Sequence, residues 1–217
     1  MTLQDRLDAF KADFDGGKLD RKPSPEVIAT MHRGTADLIA SGQAERARKA
    51  GDMAPAFELN DPDGHRVRSA DLLARGPLII SFYRGVWCPY CNMELQALQA
   101  ALPEIEARGA SLVAISPQNP VNNRKSVRQN GLGFPVLNDA GGQVAEAFGI
   151  RFALPDYLVE LYKGFKNDLP AFNNDPSWTL PMPARYIIGT DGVIRYAEVN
   201  PDYTRRPDPS ELLPILD

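Results

Sequence analysis

Two cysteines three residues apart, Cys88-Pro89-Tyr90-Cys91, stand between an apolar run and a helix-periodic segment, and the 217-residue chain has no others. The run Leu78 to Tyr83, interrupted only by Ser81, reads as a buried strand, and Pro89 to Arg108 carries helix-spaced apolar residues up to Gly109. A strand feeding directly into a helix places both sulfurs at the helix N-terminus. Unpaired backbone amides and the helix dipole stabilise a thiolate there, drawing its pKa from about 8.5 towards roughly 7 or below. A second thiol three residues on can attack the first sulfur once it has been oxidised, leaving an internal disulfide and completing a two-electron cycle. Two blander readings compete. Half a zinc site would need a second ligand pair, for which the chain offers only His32 and His65, far apart in sequence. Two inert buried thiols fit less well with the strand, Cys-x-x-Cys, helix context.

The segments around this pair repeat its rhythm. Leu112 to Ile115 is a second buried strand, so strand, helix and strand form a right-handed crossover with parallel strands. Pro120 to Gly131 reads as a helix, Phe134 to Leu137 as a strand, and Gln143 to Phe148 as a helix closed by Gly149. Tyr186-Ile187-Ile188, the turn Thr190-Asp191-Gly192 and Val193 to Val199 make an antiparallel hairpin, and Ser210 is expected to cap a last short helix. Upstream, Phe57-Glu58-Leu59 and His65-Arg66-Val67 flank the turn Asp61-Pro62-Asp63-Gly64, and Ser69 to Leu73 reads as a short capped helix.

Two stretches lie outside this rhythm. Residues 1–50 read as two helices, one striped by Leu3, Leu7 and Phe10 and one by Val27, Ile28, Met31, Leu38 and Ile39, separated by Pro23-Ser24-Pro25. They form an N-terminal extension ahead of a redox domain spanning 51–217. Residues 152–181 form an insertion, with a helix at 155 to 166 and a long loop rich in Pro, Asn and Asp, suited to covering a pocket, burying a dimer contact or adding core.

A net charge of −4 gives no general attraction to nucleic acid or anionic lipid, and the longest apolar run is far short of the roughly 20 residues of a membrane helix. Met1 to Gly17 lacks the apolar core and cleavage site of a secretory signal, so a cytoplasmic location is expected. In a reducing compartment a structural disulfide across so short a loop would stabilise little, which favours reactive chemistry.

Trp87-Cys88-Pro89-Tyr90-Cys91 resembles the active-site segment of thioredoxin-fold proteins, and its Cys-Pro-Tyr-Cys core is like that of glutaredoxins. The wider frame resembles the peroxiredoxin-like branch of the alkyl hydroperoxide reductase/thiol-specific antioxidant family over about residues 51 to 200. That frame runs from Gly51-Asp52-Met53-Ala54-Pro55-Ala56-Phe57, through Phe82-Tyr83-Arg84, to Tyr186-Ile187-Ile188-Gly189-Thr190-Asp191-Gly192-Val193-Ile194. The resemblance implies an α/β thioredoxin-like sandwich with a central mixed sheet, here with a helical N-terminal extension. It departs from the family where the chemistry is decided. The family's Pro-x-x-x-Thr-x-x-Cys puts the peroxidatic cysteine on Cys91, the threonine on Cys88 and the proline on Arg84. The family arginine falls on Pro183, where thioredoxins instead carry a cis-proline facing the cysteine pair; Pro183 is accordingly expected to be cis. Arg84 or Arg185 is left to supply the positive charge, though both also suit surface salt bridges.

Thioredoxin logic makes a more exposed Cys88 the nucleophile, peroxiredoxin logic makes it Cys91, and for peroxide reduction the choice stays open because either sulfenic acid can be captured by the other sulfur. Of the neighbours, Trp87 is expected as a wall of the site, Pro89 in the first helical turn, and Tyr90 facing a partner. Asp202, Tyr203, Arg205 and Arg206 are expected in a solvated loop. The leading functional expectation is thiol-dependent reduction of hydrogen peroxide or organic hydroperoxides through a Cys88/Cys91 cycle, with thioredoxin, glutaredoxin or a small thiol as reductant. Protein thiol-disulfide exchange and a non-enzymatic redox sensor are the rivals. No cofactor, metal, nucleic acid or membrane is implied, and a homodimer fits the resemblance.

Overall fold

In the computed structural model, residues 1–19 and 22–216 are described, and they begin with helices α1 (Leu3–Asp15) and α2 (Pro25–Ala40). The Thr2 hydroxyl accepts the Asp5 amide while the Asp5 carboxylate accepts the Thr2 amide, a reciprocal cap that satisfies two donors at the start of α1. Ser24, with Pro25 behind it, starts α2. Leu3 and Leu7 of α1 are fully packed into the core beside α4, and α2 lies against α7.

The hairpin β1 (Glu58–Asn60) and β2 (Arg66–Arg68) leads through α3 (Ser69–Leu73) to β3 (Leu78–Phe82), α4 (Pro89–Ala107), β4 (Ser111–Ser116), α5 (Pro120–Asn130), β5 (Val136–Asn138) and α6 (Gln143–Ala147). β6 (Arg151–Ala153), α7 (Asp156–Gly164), α8 (Leu169–Asn173) and β7 (Thr179–Pro181) follow, then β8 (Ala184–Ile188), β9 (Ile194–Val199) and α9 (Leu213–Leu216). The expected loop behind the 155–166 helix is thus partly regular: α8 lies within it, and β6 and β7 pair antiparallel at its base. α3 is not capped by Ser69, whose hydroxyl instead accepts the Phe57 amide at 3.0 Å. The turn before α9 is capped by Asp208 and not by Ser210. The Asp208 carboxylate accepts the Ser210 amide and also the Leu3 amide at 2.8 Å, tying the C-terminal segment to the start of α1.

The sheet has seven strands in the order β2-β1-β5-β4-β3-β8-β9. β3, β4 and β5 run parallel, as right-handed crossovers through α4 and α5 require, and the hairpins add antiparallel strands on both sides. This is the expected mixed α/β architecture. Alternation along each strand divides the core. Ile79, Leu112, Ala114 and Ile187 face α4, whereas Leu78, Ile80, Phe82, Val113, Ile115, Tyr186 and Ile188 pack with Phe148 on the other side. α4 answers with the buried stripe Cys91, Leu95, Leu98, Leu102 and Ile105, spaced three and four apart. The same alternation turns Arg185 and its cross-strand partner Ser81 to the α4 side.

Candidate active site

The site forms where β3 gives way to α4. Gly85 makes the turn with φ of 155°, and a Cβ there would lie 2.4 Å from Trp87 Nε1, so the close approach of the backbone to this indole requires glycine. Gln118, beyond β4, holds the turn from below by accepting the Val86 amide at 2.8 Å, while the Asn92 amide group donates to the Val86 carbonyl at 2.8 Å. Cys88 becomes the N-cap of α4, its sulfur accepting the Cys91 amide at 3.4 Å, and Pro89 occupies the first turn, where no N–H is needed.

Both cysteines are free thiols and fully buried, so the expected greater exposure of Cys88 is not found. What distinguishes them is charge. Burial alone pushes the Cys88 thiol up, but a hydrogen bond from the Cys91 thiol, the adjacent Arg84 guanidinium and the Cys91 amide outweigh it and bring the pKa down to about 5. Burial, the thiol's donation to Cys88 and the Cys88 charge together hold Cys91 well above its ordinary value. The negative charge therefore rests on Cys88 and the proton on Cys91.

Arg84 supplies the positive charge. Its Nη2 donates to Cys88 Sγ at 3.1 Å and its Nη1 to the Tyr162 hydroxyl at 3.2 Å, and the guanidinium lies over the Tyr203 ring at 3.8 Å and near the Trp87 ring at 5.2 Å. The residue is 4% exposed, and Nε has no protein acceptor. Arg185 does not reach the sulfurs: it is buried against α4 and donates to Glu94 Oε1 at 2.9 Å, which excludes a surface salt bridge. Arg206 grips the other Glu94 oxygen. Two guanidiniums against one carboxylate leave a positive excess beside the thiols; Arg206 opposes the rise of the Cys91 thiol without overcoming it, and the Glu94 carboxylate keeps Arg206 charged against its burial. Desolvation opposes ionisation of Glu94, but the two arginines override it and keep its pKa lowered.

A groove of about 490 Å³ opens over Cys88, lined by Trp87, Tyr162 and residues of α1 and α2 together with Leu19, Lys22 and Pro23. Trp87 is edge-on to Tyr162 at 5.5 Å. Tyr90 does not face outward: it is buried, edge-on to Phe10 of α1 at 5.2 Å and to Tyr203 at 5.5 Å. The segment expected as a solvated loop is built into the site through Tyr203 and Arg206, and only Arg205 is exposed. Pro183 is trans. The Met182 amide donates to the Ile150 carbonyl at 2.7 Å and the Pro183 carbonyl accepts the Asn200 amide at 3.2 Å, so both flanks of the bond are held in extended chain running from β7 into β8. Pro183 lines a small chamber of about 30 Å³ with Arg84, Tyr162 and Tyr203. The histidines lie elsewhere, His65 paired with Asp61 in the β1–β2 turn and His32 with Asp15 between α1 and α2.

Sequence reasoning passed over Glu94 and Tyr162 as site residues and left Arg206 in a solvated loop. Glu94 carried a signal, since it lies three residues after Cys91 on the apolar face of α4, where a charge calls for a partner. Tyr162 and Arg206 carried none, because they arrive from segments distant in sequence.

Residues 50–197 match the AhpC/TSA family. The peroxiredoxin Bcp of Escherichia coli (strain K12) is 32% identical over 116 residues, 54% of this chain and 73% of the relative. The thiol-disulfide oxidoreductase ResA of Halalkalibacterium halodurans is 30% identical over 104 residues, 48% of this chain and 58% of the relative. Among solved structures, the peroxidoxin BcpB of Mycobacterium tuberculosis superposes with a TM-score of 0.61 at 24% identity, covering 77% of this chain and 96% of its own, which supports the shared fold. With the family match spanning the sheet, the cysteine turn and the late hairpin, the chain belongs to the AhpC/TSA family of thiol-dependent oxidoreductases.

Proposed function

We infer that this oxidoreductase reduces peroxides with Cys88 as the attacking sulfur and Cys91 as the resolving one. The observation that carries the reading is the 3.1 Å contact from Arg84 Nη2 to Cys88 Sγ, in a site where Cys91 donates its proton towards the same sulfur. The Cys88 thiolate attacks the terminal peroxide oxygen. The S–O bond forms as the O–O bond breaks, the peroxide is reduced to an alkoxide or hydroxide that takes up a proton, and Cys88 becomes a sulfenic acid. The unpaired Arg84 Nε–H, on a cation already at the sulfur, is suited to donate to a peroxide oxygen as negative charge grows on it. Cys91 sulfur then attacks Cys88, the S–S bond replaces the S–O bond, and hydroxide leaves with the Cys91 proton as water. Two electrons from an external dithiol or two small thiols restore the pair. Thioredoxin, glutaredoxin and small thiols all fit that chemistry, and the full burial of both sulfurs favours the small donor.

Protein thiol-disulfide exchange is the second reading, supported by the intact Cys-x-x-Cys and the likeness to ResA. The burial of both sulfurs weighs against it, since exchange needs a protein disulfide to reach one of them. Among the described residues no helix is long and apolar enough to cross a membrane.

Stopped-flow tryptophan fluorescence tests the assignment, with Trp87 as reporter. Mixing reduced protein with hydrogen peroxide should give a fast, concentration-dependent phase that Cys88→Ser abolishes, while Cys91→Ser keeps the first phase and loses the disulfide. Loss of the first phase in Cys91→Ser alone would reverse the roles. Rates no greater than those of free cysteine with both hydrogen peroxide and organic hydroperoxides would leave thiol-disulfide exchange as the activity.

A further inference from the structure

Expelling an oxygen from a peroxide needs a proton, and the residues assigned above do not supply it. The oxygen that leaves when Cys88 attacks is a hydroxide or an alkoxide, strong bases both, since the pKa of water is about 15.7. Arg84 can stabilise the growing charge but keeps its own protons, because a guanidinium is not deprotonated in proteins. The Cys91 proton departs in the second step. Three phenols line the groove, Tyr90, Tyr162 and Tyr203. Tyr203 turns its ring face to Arg84 at 3.8 Å, and Tyr90 is held edge-on by Phe10 and Tyr203. Tyr162 alone of the three meets Arg84 through its hydroxyl, which accepts from Nη1 at 3.2 Å while the neighbouring Nη2 donates to Cys88 Sγ at 3.1 Å. One planar guanidinium thus carries the attacking sulfur and this hydroxyl side by side. The hydroxyl uses a lone pair on Arg84, and among the described residues its own hydrogen has no acceptor, so it is left for a ligand. Burial holds the phenol above its ordinary value against the pull of Arg84, which keeps the proton on at neutral pH.

Resting on the peroxidase reading, we propose that Tyr162 is the catalytic acid of the first step, its hydroxyl bonding the leaving peroxide oxygen and passing its proton to it as the O–O bond breaks. The terminal oxygen goes with its hydrogen to Cys88 as the sulfenic acid. The other oxygen leaves as water or alcohol, and Tyr162 becomes a phenolate paired with Arg84 until solvent returns the proton. An adjoining chamber of about 30 Å³, lined by Arg84, Tyr162 and Tyr203, has room for a water and gives that proton a way back. The transfer runs downhill, because a phenol near about 10 remains a stronger acid than water even when burial raises it. Tyr162 is well fixed for the task, at 4% exposure and with its ring edge-on to Trp87 at 5.5 Å.

The leaving group separates proton donation from mere support of Arg84. Reduced full chain, Tyr162→Phe and Tyr157→Phe are mixed with hydrogen peroxide, ethyl hydroperoxide and peracetic acid, and second-order rates are read from the Trp87 signal. Peracetic acid expels a carboxylate, whose acid has a pKa of about 4, so that it leaves without a proton. Tyr162→Phe should slow hydrogen peroxide and ethyl hydroperoxide by about 10²-fold or more, the usual size of acid catalysis, and leave peracetic acid near the wild-type rate. Its Cys88 titration, read from thiolate absorbance, should stay in place. Tyr157→Phe, which removes a hydroxyl of the same helix bonded to Asp37, should keep all three rates. Heavy water gives the contrast without a variant, slowing the wild type with the two hydroperoxides and not with peracetic acid. Equal slowing of all three oxidants in Tyr162→Phe with a raised Cys88 titration, or a heavy-water effect equal for all three, would overturn the proposal. Unchanged rates in Tyr162→Phe would overturn it as well, with solvent as the proton source, and leave the peroxidase reading standing. Wild-type rates no greater than those of free cysteine with all three oxidants would overturn the two together.

Discussion

Cys88 and Cys91 share a helix terminus and the same complete burial, yet they differ in which holds the proton. Arg84 is the main asymmetric element, since it bonds Cys88 and not Cys91. Replacing it with Met should raise the Cys88 titration by about 1–3 units, the usual effect of one nearby opposite charge, as read from thiolate absorbance against pH. Oxidation by peroxide at neutral pH should slow with it. The same asymmetry sets a pH dependence of stability. In the unfolded chain both thiols titrate near about 8.5. From there down to about 5 the unfolded state binds one more proton at residue 88 than the folded state does, so this contribution, full above the unfolded value, is lost as pH falls through the folded one. Cys91 acts in reverse: its proton stays on in the folded state, so its contribution is full below the unfolded value and is lost as pH rises beyond it. Denaturant titrations of reduced protein should therefore show stability climbing across that window and declining at higher pH. Cys88→Ser should remove the climb.

At the scale of elements, α4 carries both reactive sulfurs and the acid that anchors them. Glu94 joins it to β8 through Arg185 and to the segment after β9 through Arg206. Glu94→Gln leaves two buried guanidiniums facing a neutral amide, and a loss of about 3–5 kcal/mol is expected in urea unfolding, because breaking a buried pair strands the partner charge. α1 is the other decisive element, as Leu7 anchors it fully buried while Phe10 and Phe14 roof the site. Leu7→Ala should cost about 2–5 kcal/mol of packing. If α1 opens locally at that cost, hydrogen exchange in residues 3–15 and the rate of thiol modification by a bulky aromatic disulfide reagent should rise together.

Across the whole molecule the surface and the site have opposite electrostatic characters. The chain carries a net charge of −4, whereas the buried cluster of Arg84, Arg185, Arg206 and Glu94 has an excess of positive charge. Mobile ions act over about 10 Å at 0.1 M salt but do not enter a buried cluster. Raising the salt from about 0.05 to about 0.5 M should thus leave the Cys88 titration within a few tenths of a unit, because the contacts that set it are screened from solvent. A large salt-driven shift would mean that solvent reaches Arg84.

The sequence by itself determined the alternation of strands and helices, the position of the cysteine pair at the start of α4, and the late hairpin. Each of these follows from local periodicity and turn chemistry, which a chain carries at short range. Only the tertiary structure decided which sulfur is charged, because Tyr162 and Tyr203, from two distant segments, pack on Arg84 where its guanidinium meets Cys88. It also turned Tyr90 inward beneath α1 and drew Arg206 out of an apparently polar loop onto Glu94. Charge placement and burial depend on what packs opposite a residue, and nothing in the spacing of residues along the chain carries that information.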